Sequence, residues 1–250
     1  ISVTNSTTFV VNITTAIPAL VAGVALSLNS PSPWAMLTPN VITITSYLNA
    51  NTYINASNQQ TYIATDEASQ YWQNGGTHIF NVAPSGTADS AISWTTAMTI
   101  DNTGAVTMPN QPSFNAKGSS TLSNIAINTV ITVPFATERF DVGSNYSTST
   151  HKFTAPVAGK YLFHVYLRLQ NVDASSGYYQ VYCETTNSSL EVHIYDSEAL
   201  DLDPTYWTST GTTVAHMDAN DTAHITLYQA GGQAQTDIQS NSTFYGYLIG

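Results

Sequence analysis

Phe153-Thr154-Ala155-Pro156-Val157-Ala158-Gly159-Lys160-Tyr161-Leu162-Phe163 is the stretch on which the fold turns, together with the last residues, Phe244-Tyr245-Gly246-Tyr247-Leu248-Ile249-Gly250. Pro156 fixes φ and Gly159 frees it, so a tight turn feeds an aromatic strand. From Tyr161 to Leu169 the odd positions read Tyr, Phe, Val, Leu, Leu, and the even ones are Leu162, His164, Tyr166 and Arg168. Because side chains alternate across a strand, one face is wholly apolar and the other mixed. A partly apolar second face needs a partner surface. The same alternation sets Tyr179, Val181 and Cys183 on one face of their strand. It sets Leu190, Val192 and Ile194 against Glu191, His193 and Tyr195, and Ile225 and Leu227 against His224, Thr226 and Tyr228. Strands at spacings of about ten residues, punctuated by Gly177, Gly211 and Gly231-Gly232, predict a sandwich or jelly roll. No segment carries a convincing helical pattern.

The two quoted stretches resemble signatures of the C1q/TNF-like trimeric jelly roll: a leading strand reached through Ala-Pro and a Gly, and a closing strand of the form Phe-x-Gly-x-Leu. Phe140-Asp141-Val142-Gly143-Ser144-Asn145-Tyr146 is similar to the family's segment before the leading strand. Val214 to Leu227 resembles its loop and penultimate strand, with Asn220-Asp221 where the family has Gly-Asp. Asn tolerates positive φ, so the turn survives that departure. The resemblance spans most of residues 113–250. It implies a trimer and, as in some family members, calcium near the trimer apex.

Only 8% of residues are charged while 42% are hydrophobic, so the solvated surface must be built from Ser, Thr, Asn and Gln. That balance suits secreted or virion-borne β-structure better than a cytosolic enzyme. A net charge of -11 with five basic residues excludes a nucleic-acid partner, because phosphate binding needs clustered Lys and Arg. The single cysteine, Cys183, precludes an intrachain disulfide and reads as a buried small hydrophobe. All the basic residues, Lys117, Arg139, Lys152, Lys160 and Arg168, lie after position 116, which marks a boundary near Pro109 and Pro112. The expected domains are therefore 1–112 and 113–250. The apolar run from Ile17 to Leu28 is too short to span a bilayer and lacks the basic flank of a signal peptide, so a buried or intersubunit β segment is expected, with no membrane insertion. The chain begins at Ile1 rather than Met, as expected of a processed product or of part of a longer polypeptide.

The first half reads as short strands at residues 41–45, 52–55, 61–64, 78–82 and 98–101, separated by Asn, Ser, Pro and Gly turns. Asp101-Asn102-Thr103-Gly104 has the chemistry of a hairpin turn. With its flanks, Ala97 to Val106, it resembles a hairpin of phage tail-fibre and tail-spike proteins. Few of these strands carry enough apolar residues on one face for a private core. An interwoven trimeric β stem answers that shortage, and an independent β-sandwich is the alternative.

The densest carboxylate cluster is Asp196, Glu198, Asp201 and Asp203. Alternating hard oxygen ligands suit Ca²⁺, and a solvated acidic loop is the competing interpretation, since the Gly-turn spacing of an EF-hand is missing. These carboxylates, or Asp66 with Glu67, do not by themselves supply a glycosidase's separated pair across a sugar-sized cleft, and no nucleophile triad or phosphate loop occurs, so no enzyme is expected. Six histidines are scattered without metal-ligand spacing. Tyr178, Tyr195, Tyr206 and Trp207 sit in or beside predicted loops and offer apolar faces with polar handles, the surface that takes sugars or flat protein epitopes. Tyr206 and Trp207 are the pair expected to be exposed. Asn-x-Ser/Thr triplets, as at Asn5, Asn145, Asn187 and Asn241, arise by chance in so polar a chain.

The sequence thus predicts an all-β homotrimeric fibre with a C1q-like jelly-roll head on a phage-type stem. Its expected place is the virion surface, and its expected partners are a host cell-surface glycan or protein and other virion proteins. A structural decoration protein whose jelly roll clamps the trimer is the alternative.

Overall fold

The computed structural model describes residues 2–5, 8–10, 27–28 and 46–250, with side chains from Tyr47 onward. The chain divides into two compact units, Ile1–Met108 and Pro109–Gly250. Every regular element among the described residues is a β-strand, and none of them forms a helix long and apolar enough to cross a membrane.

In the first unit the strands are β1 (Ser2–Asn5), β2 (Thr8–Val10), β3 (Ser27–Leu28), β4 (Ser46–Ala50) and β5 (Thr52–Ile54). They are followed by β6 (Gln60–Tyr62), β7 (Asp66–Asn74), β8 (Thr77–Gly86), β9 (Thr95–Ile100) and β10 (Val106–Thr107). One antiparallel sheet runs in the order β10-β9-β8-β7-β4-β3, while β1–β2 and β5–β6 pair as separate hairpins. The strands expected at 52–55, 61–64, 78–82 and 98–101 overlap β5, β6, β8 and β9. The one expected at 41–45, and residues 17–26 of the apolar run, lie outside the described residues. Asp101 builds the predicted turn: its Oδ1 accepts the N–H of Thr103 and of Ala105 and the Thr103 hydroxyl, and Gly104 takes φ 87°. These donors hold the Asp101 carboxyl below its usual value. Among the described residues of this unit the buried hydrophobic residues are Tyr62, Ala68 and Ala83, packed with Ile92 and Trp94. Buried polar pairs fill the rest: Asn81 donates to Gln70, which donates to Gln60.

The second unit contains β11 (Ser113–Lys117), β12 (Ile131–Thr132), β13 (Thr137–Val142), β14 (Tyr146–Ser147), β15 (Lys152–Thr154) and β16 (Gly159–Gln170). After these come β17 (Tyr178–Thr185), β18 (Ser189–Asp196), β19 (Tyr206–Met217), β20 (Thr222–Gln229), β21 (Asp237–Ile238) and β22 (Thr243–Leu248). Two antiparallel sheets, β13-β11-β22-β16-β19 and β14-β15-β20-β17-β18, enclose one core. Successive strands cross between the layers, which is the jelly roll that the alternation predicts.

The two stretches quoted at the outset are neighbours in space. β16 pairs with β22 so that Phe163 faces Gly246. A Cβ on Gly246 would fall 2.5 Å from Phe163 Cδ1 and 2.9 Å from the Leu162 carbonyl oxygen, so only Gly lets the ring lie across the neighbouring strand. Phe114 then meets Tyr146, Phe153 and Phe244, each with centroids 4.9 Å away, and Phe153 reaches Tyr161 at 5.4 Å. Edge and offset ring contacts of this kind add to the burial that drives the two sheets together. At the turn, the Lys160 N–H donates to the Gly250 carbonyl at 2.5 Å and the Ile249 N–H to the Lys160 carbonyl at 2.8 Å. The Asn220-Asp221 turn works as its chemistry requires, with Asn220 at φ 75°.

Gly246→Ala is expected to lower the unfolding free energy by about 1–3 kcal/mol through overpacking, measured by urea denaturation. Burial inside β17 pushes the Cys183 thiol up to about 12, so it should resist a disulfide reagent at pH 8 until the protein unfolds.

Candidate functional site

The second unit offers two surfaces of interest, and both follow from strand register. The first is made by a bulge. Val181 pairs with His193 but Tyr182 pairs with Glu191, so Val192 is an extra residue in β18. Strict alternation put Ile194 with Leu190 and Val192. The bulge corrects that assignment, because every side chain after Val192 changes face. Tyr195 turns inward, stacked between Tyr179 at 4.9 Å and Trp207 at 5.0 Å, while Ile194 is 46% exposed. His193 also turns toward the other sheet, where its Nδ1 is 2.6 Å from the Ser209 hydroxyl. The sheets close tightly there, and a Cβ on Gly211 would lie 2.8 Å from the Val192 carbonyl oxygen.

On the outward side, Tyr178 stands opposite Asp196 and Gln180 opposite Ile194. Gly177, Tyr178, Ile194, Tyr195, Asp196 and Glu198 line an open depression of about 570 Å³. Tyr178 is 37% exposed, with the Tyr228 ring 5.9 Å from its own. Asp196 accepts the Glu198 N–H, and no Lys or Arg lines the depression. The Tyr195 hydroxyl is enclosed without a hydrogen-bond partner, and burial raises its pKa.

The loops that lead into this depression are joined by a polar knot that sequence reasoning missed. Asp173 is 2% exposed. One carboxylate oxygen accepts the Ser175 N–H and hydroxyl at 2.9 and 2.7 Å, and the other accepts the Gln233 N–H. The Ser197 hydroxyl donates to the Ser176 carbonyl at 2.7 Å, and Tyr179 Oη lies 2.6 Å from the Thr236 hydroxyl. Three loops are thereby tied at one point. The signal was present in Asp173-Ala174-Ser175, where an Asp accepts from the residue two positions on.

The aromatic residues singled out from sequence therefore divide. Tyr178 and Tyr195 meet at the depression. Tyr206 is 52% exposed but belongs to the outer face of the other sheet, with the Arg168 guanidinium 4.3 Å from its ring centre. Trp207 corrects the expected exposed pair: it sits opposite Leu169 in β19, so alternation turns it into the sandwich and against the core. The acidic residues divide too. Asp203 is held by the Ala174 N–H and the Gln235 amide, both at 2.8 Å, which lower its pKa. Among the described residues no three His, Cys, Asp or Glu side chains gather into a metal-holding group, so Asp196, Glu198, Asp201 and Asp203 do not converge.

The second surface is the outer face of β13-β11-β22-β16-β19. Register sets Leu162 between Tyr247 and Val214, and His164 between Tyr245 and Thr212. Tyr247 and Val214 are exposed, and so is Phe140 on β13. His164 stacks on Tyr245 at 4.8 Å, and its two nitrogens lie 2.8 and 3.3 Å from the hydroxyls of Thr212 and Thr210. Its burial lowers its pKa. The outer face of the opposite sheet carries Gln180, Glu184, Glu191 and His224 among Tyr178, Tyr182, Tyr228 and the exposed Ile194.

Residues 113–249 match the C1q domain family. Among solved structures, the globular domain of zebrafish complement 1qA protein is 18% identical, with a TM-score of 0.42, over 56% of this chain and 98% of that one. Murine APRIL, solved at pH 8.5 and 8.0, is 9% and 12% identical, with a TM-score of 0.40 in each case, over 56% of this chain and 99% of the other. No curated protein matches the chain.

Asp173→Ala should cost about 1–3 kcal/mol and release amide protons of the 171–177 and 229–236 loops to faster hydrogen exchange. Unchanged protection in those loops would refute the tie.

Proposed function

The chain belongs to the C1q domain family through residues 113–249, and from that premise we propose that it is a homotrimeric attachment protein of a virion, most simply a bacteriophage fibre. Residues 113–250 act as the head and residues 1–112 as the stem that other virion proteins hold. The observation that carries this reading is the apolar and aromatic outer face on which Val214, Tyr247 and Phe140 are exposed beside the half-buried Leu162, Tyr166 and Tyr245. C1q-like domains typically assemble in threes. A face of this kind suits burial against a second and third copy. The first unit supports the same reading, since its fully buried hydrophobic core among the described residues is limited to Tyr62, Ala68 and Ala83.

The function is binding rather than catalysis. Each head presents a weak site to a host glycan or protein, and three linked sites raise the hold by avidity. With so few charges, recognition depends on shape, stacking and local hydrogen bonds more than on long-range steering.

Tyr247→Glu places a charge in the apolar face. It should yield a monomer in light scattering, and adhesion to host cells should fall by about a hundredfold. Adhesion unchanged in a monomeric variant would overturn the reading. His164 supplies a pH test with a defined sign. Burial already depresses its pKa in the single folded chain, so the neutral form is favoured; this contribution to the head's folding stability is fully present above the ordinary histidine value of about 6.5 and is lost as pH falls through the lowered folded value. Urea denaturation between pH 8 and pH 5 follows this loss, and His164→Gln should flatten it.

A further inference from the structure

We propose that the depression beside the β18 bulge binds a protonated amino sugar. This rests on the head being the attachment domain and names the ligand class of its site. The chemistry is carried by complementarity on three sides. Tyr178 and Ile194 give an exposed aromatic ring and an aliphatic side chain, which suit the C–H face of a saturated ring. Asp196 and Glu198 give two carboxylates on the same rim. Asp196 accepts one backbone N–H, the Glu198 carboxylate has no hydrogen-bond partner, and neither is paired with a cation. An aromatic face beside unpaired carboxylates is the environment that holds an ammonium group, through cation–π attraction and charge-assisted hydrogen bonds.

The open depression of about 570 Å³ has room for a sugar ring and its neighbour; the C–H face of such a ring matches the exposed Tyr178 and Ile194, which a lysine side chain does not use, and the lysine peptide below distinguishes the two. A Cβ at Gly177 would make only ordinary contacts, 3.6 Å from the Ala230 carbonyl oxygen and 3.9 Å from Glu198 Oε1, so a side chain is accepted there without strain and stands beside the Glu198 carboxylate. The segments that bear Gly177 and Glu198 are tied to each other, because the Ser176 and Ser197 hydroxyls lie 2.6 Å apart and Ser176 donates to the Asp173 carbonyl at 2.7 Å.

The test uses the full chain and a tetramer of β-linked glucosamine, titrated by calorimetry beside its N-acetylated counterpart and a lysine tetrapeptide. Wild type should bind the glucosamine tetramer at least about tenfold more tightly than either competitor. Affinity should weaken as salt rises. Glu198→Gln with Asp196→Asn, Tyr178→Ala, and Gly177→Leu should each reduce it by about tenfold or more. Asp66→Asn with Glu67→Gln removes the same charge from the first unit and should leave it unchanged. Equal binding of the acetylated tetramer, equal binding of the lysine peptide, an equal loss in the Asp66/Glu67 variant, or no heat at roughly ten millimolar tetramer would each overturn the proposal. A trimer that adheres to host cells yet ignores the tetramer sinks this assignment alone. Loss of the trimer or of adhesion sinks the attachment reading instead.

Discussion

The contact between Phe163 and Gly246 is the constraint on which the second unit depends. Because the glycine has no side chain, the phenyl ring lies flat across the last strand, and the chain's C-terminal residues are pinned between β11 and β16. Phe114, Tyr146, Phe153, Tyr161 and Phe244 then close around that point. Two stretches more than eighty positions apart in sequence thereby make one aromatic core, and everything displayed on either outer face takes its place from the register they set. Long-range pairing of this kind carries a large closure entropy, which aromatic burial offsets.

From that register come two outer faces. β16 and β22 turn Leu162, Tyr166, Tyr245 and Tyr247 away from the core, where Tyr247 stays exposed and the other three are half-buried. On the other sheet, the extra residue at Val192 rotates the end of β18, burying Tyr195 and leaving Ile194 and Asp196 at the surface. A single bulge thus converts a regular strand into the wall of a depression. The Asp173 knot stiffens the loops that lead into that depression, so a site at the edge of the sandwich has the support of the interior.

Much of this was legible in the sequence, and the losses have physical causes. The period of two from Tyr161 to Leu169 gave β16 and its inward face directly. The turn at Gly231-Gly232 and the Asp101 hairpin followed from local chemistry, whereas Gly211, expected to punctuate two strands, lies inside β19 opposite Val165, where the close approach of Val192 leaves no room for a side chain. β7 was missed because its buried positions include Gln70, which is satisfied by hydrogen bonds to Asn81 and Gln60 and leaves no apolar alternation to read. The face of Ile194 was misassigned because a bulge is a property of the pair of strands, invisible in one of them. Trp207 was expected outside because a loop flanks it, yet it lies one residue inside β19, opposite Leu169. Of the four aromatic residues proposed for recognition, Tyr178 and Tyr195 are brought together, and Tyr206 is carried to the opposite sheet by its pairing with Gln170.

The account's central claim is that neighbouring copies cover the outer face of β13-β11-β22-β16-β19. Its most direct test is the native mass of the full chain in neutral solution by light scattering. About three times the chain mass of 26.9 kDa is the predicted result. A stable, well-folded particle of one chain, with that face open to water, would contradict it.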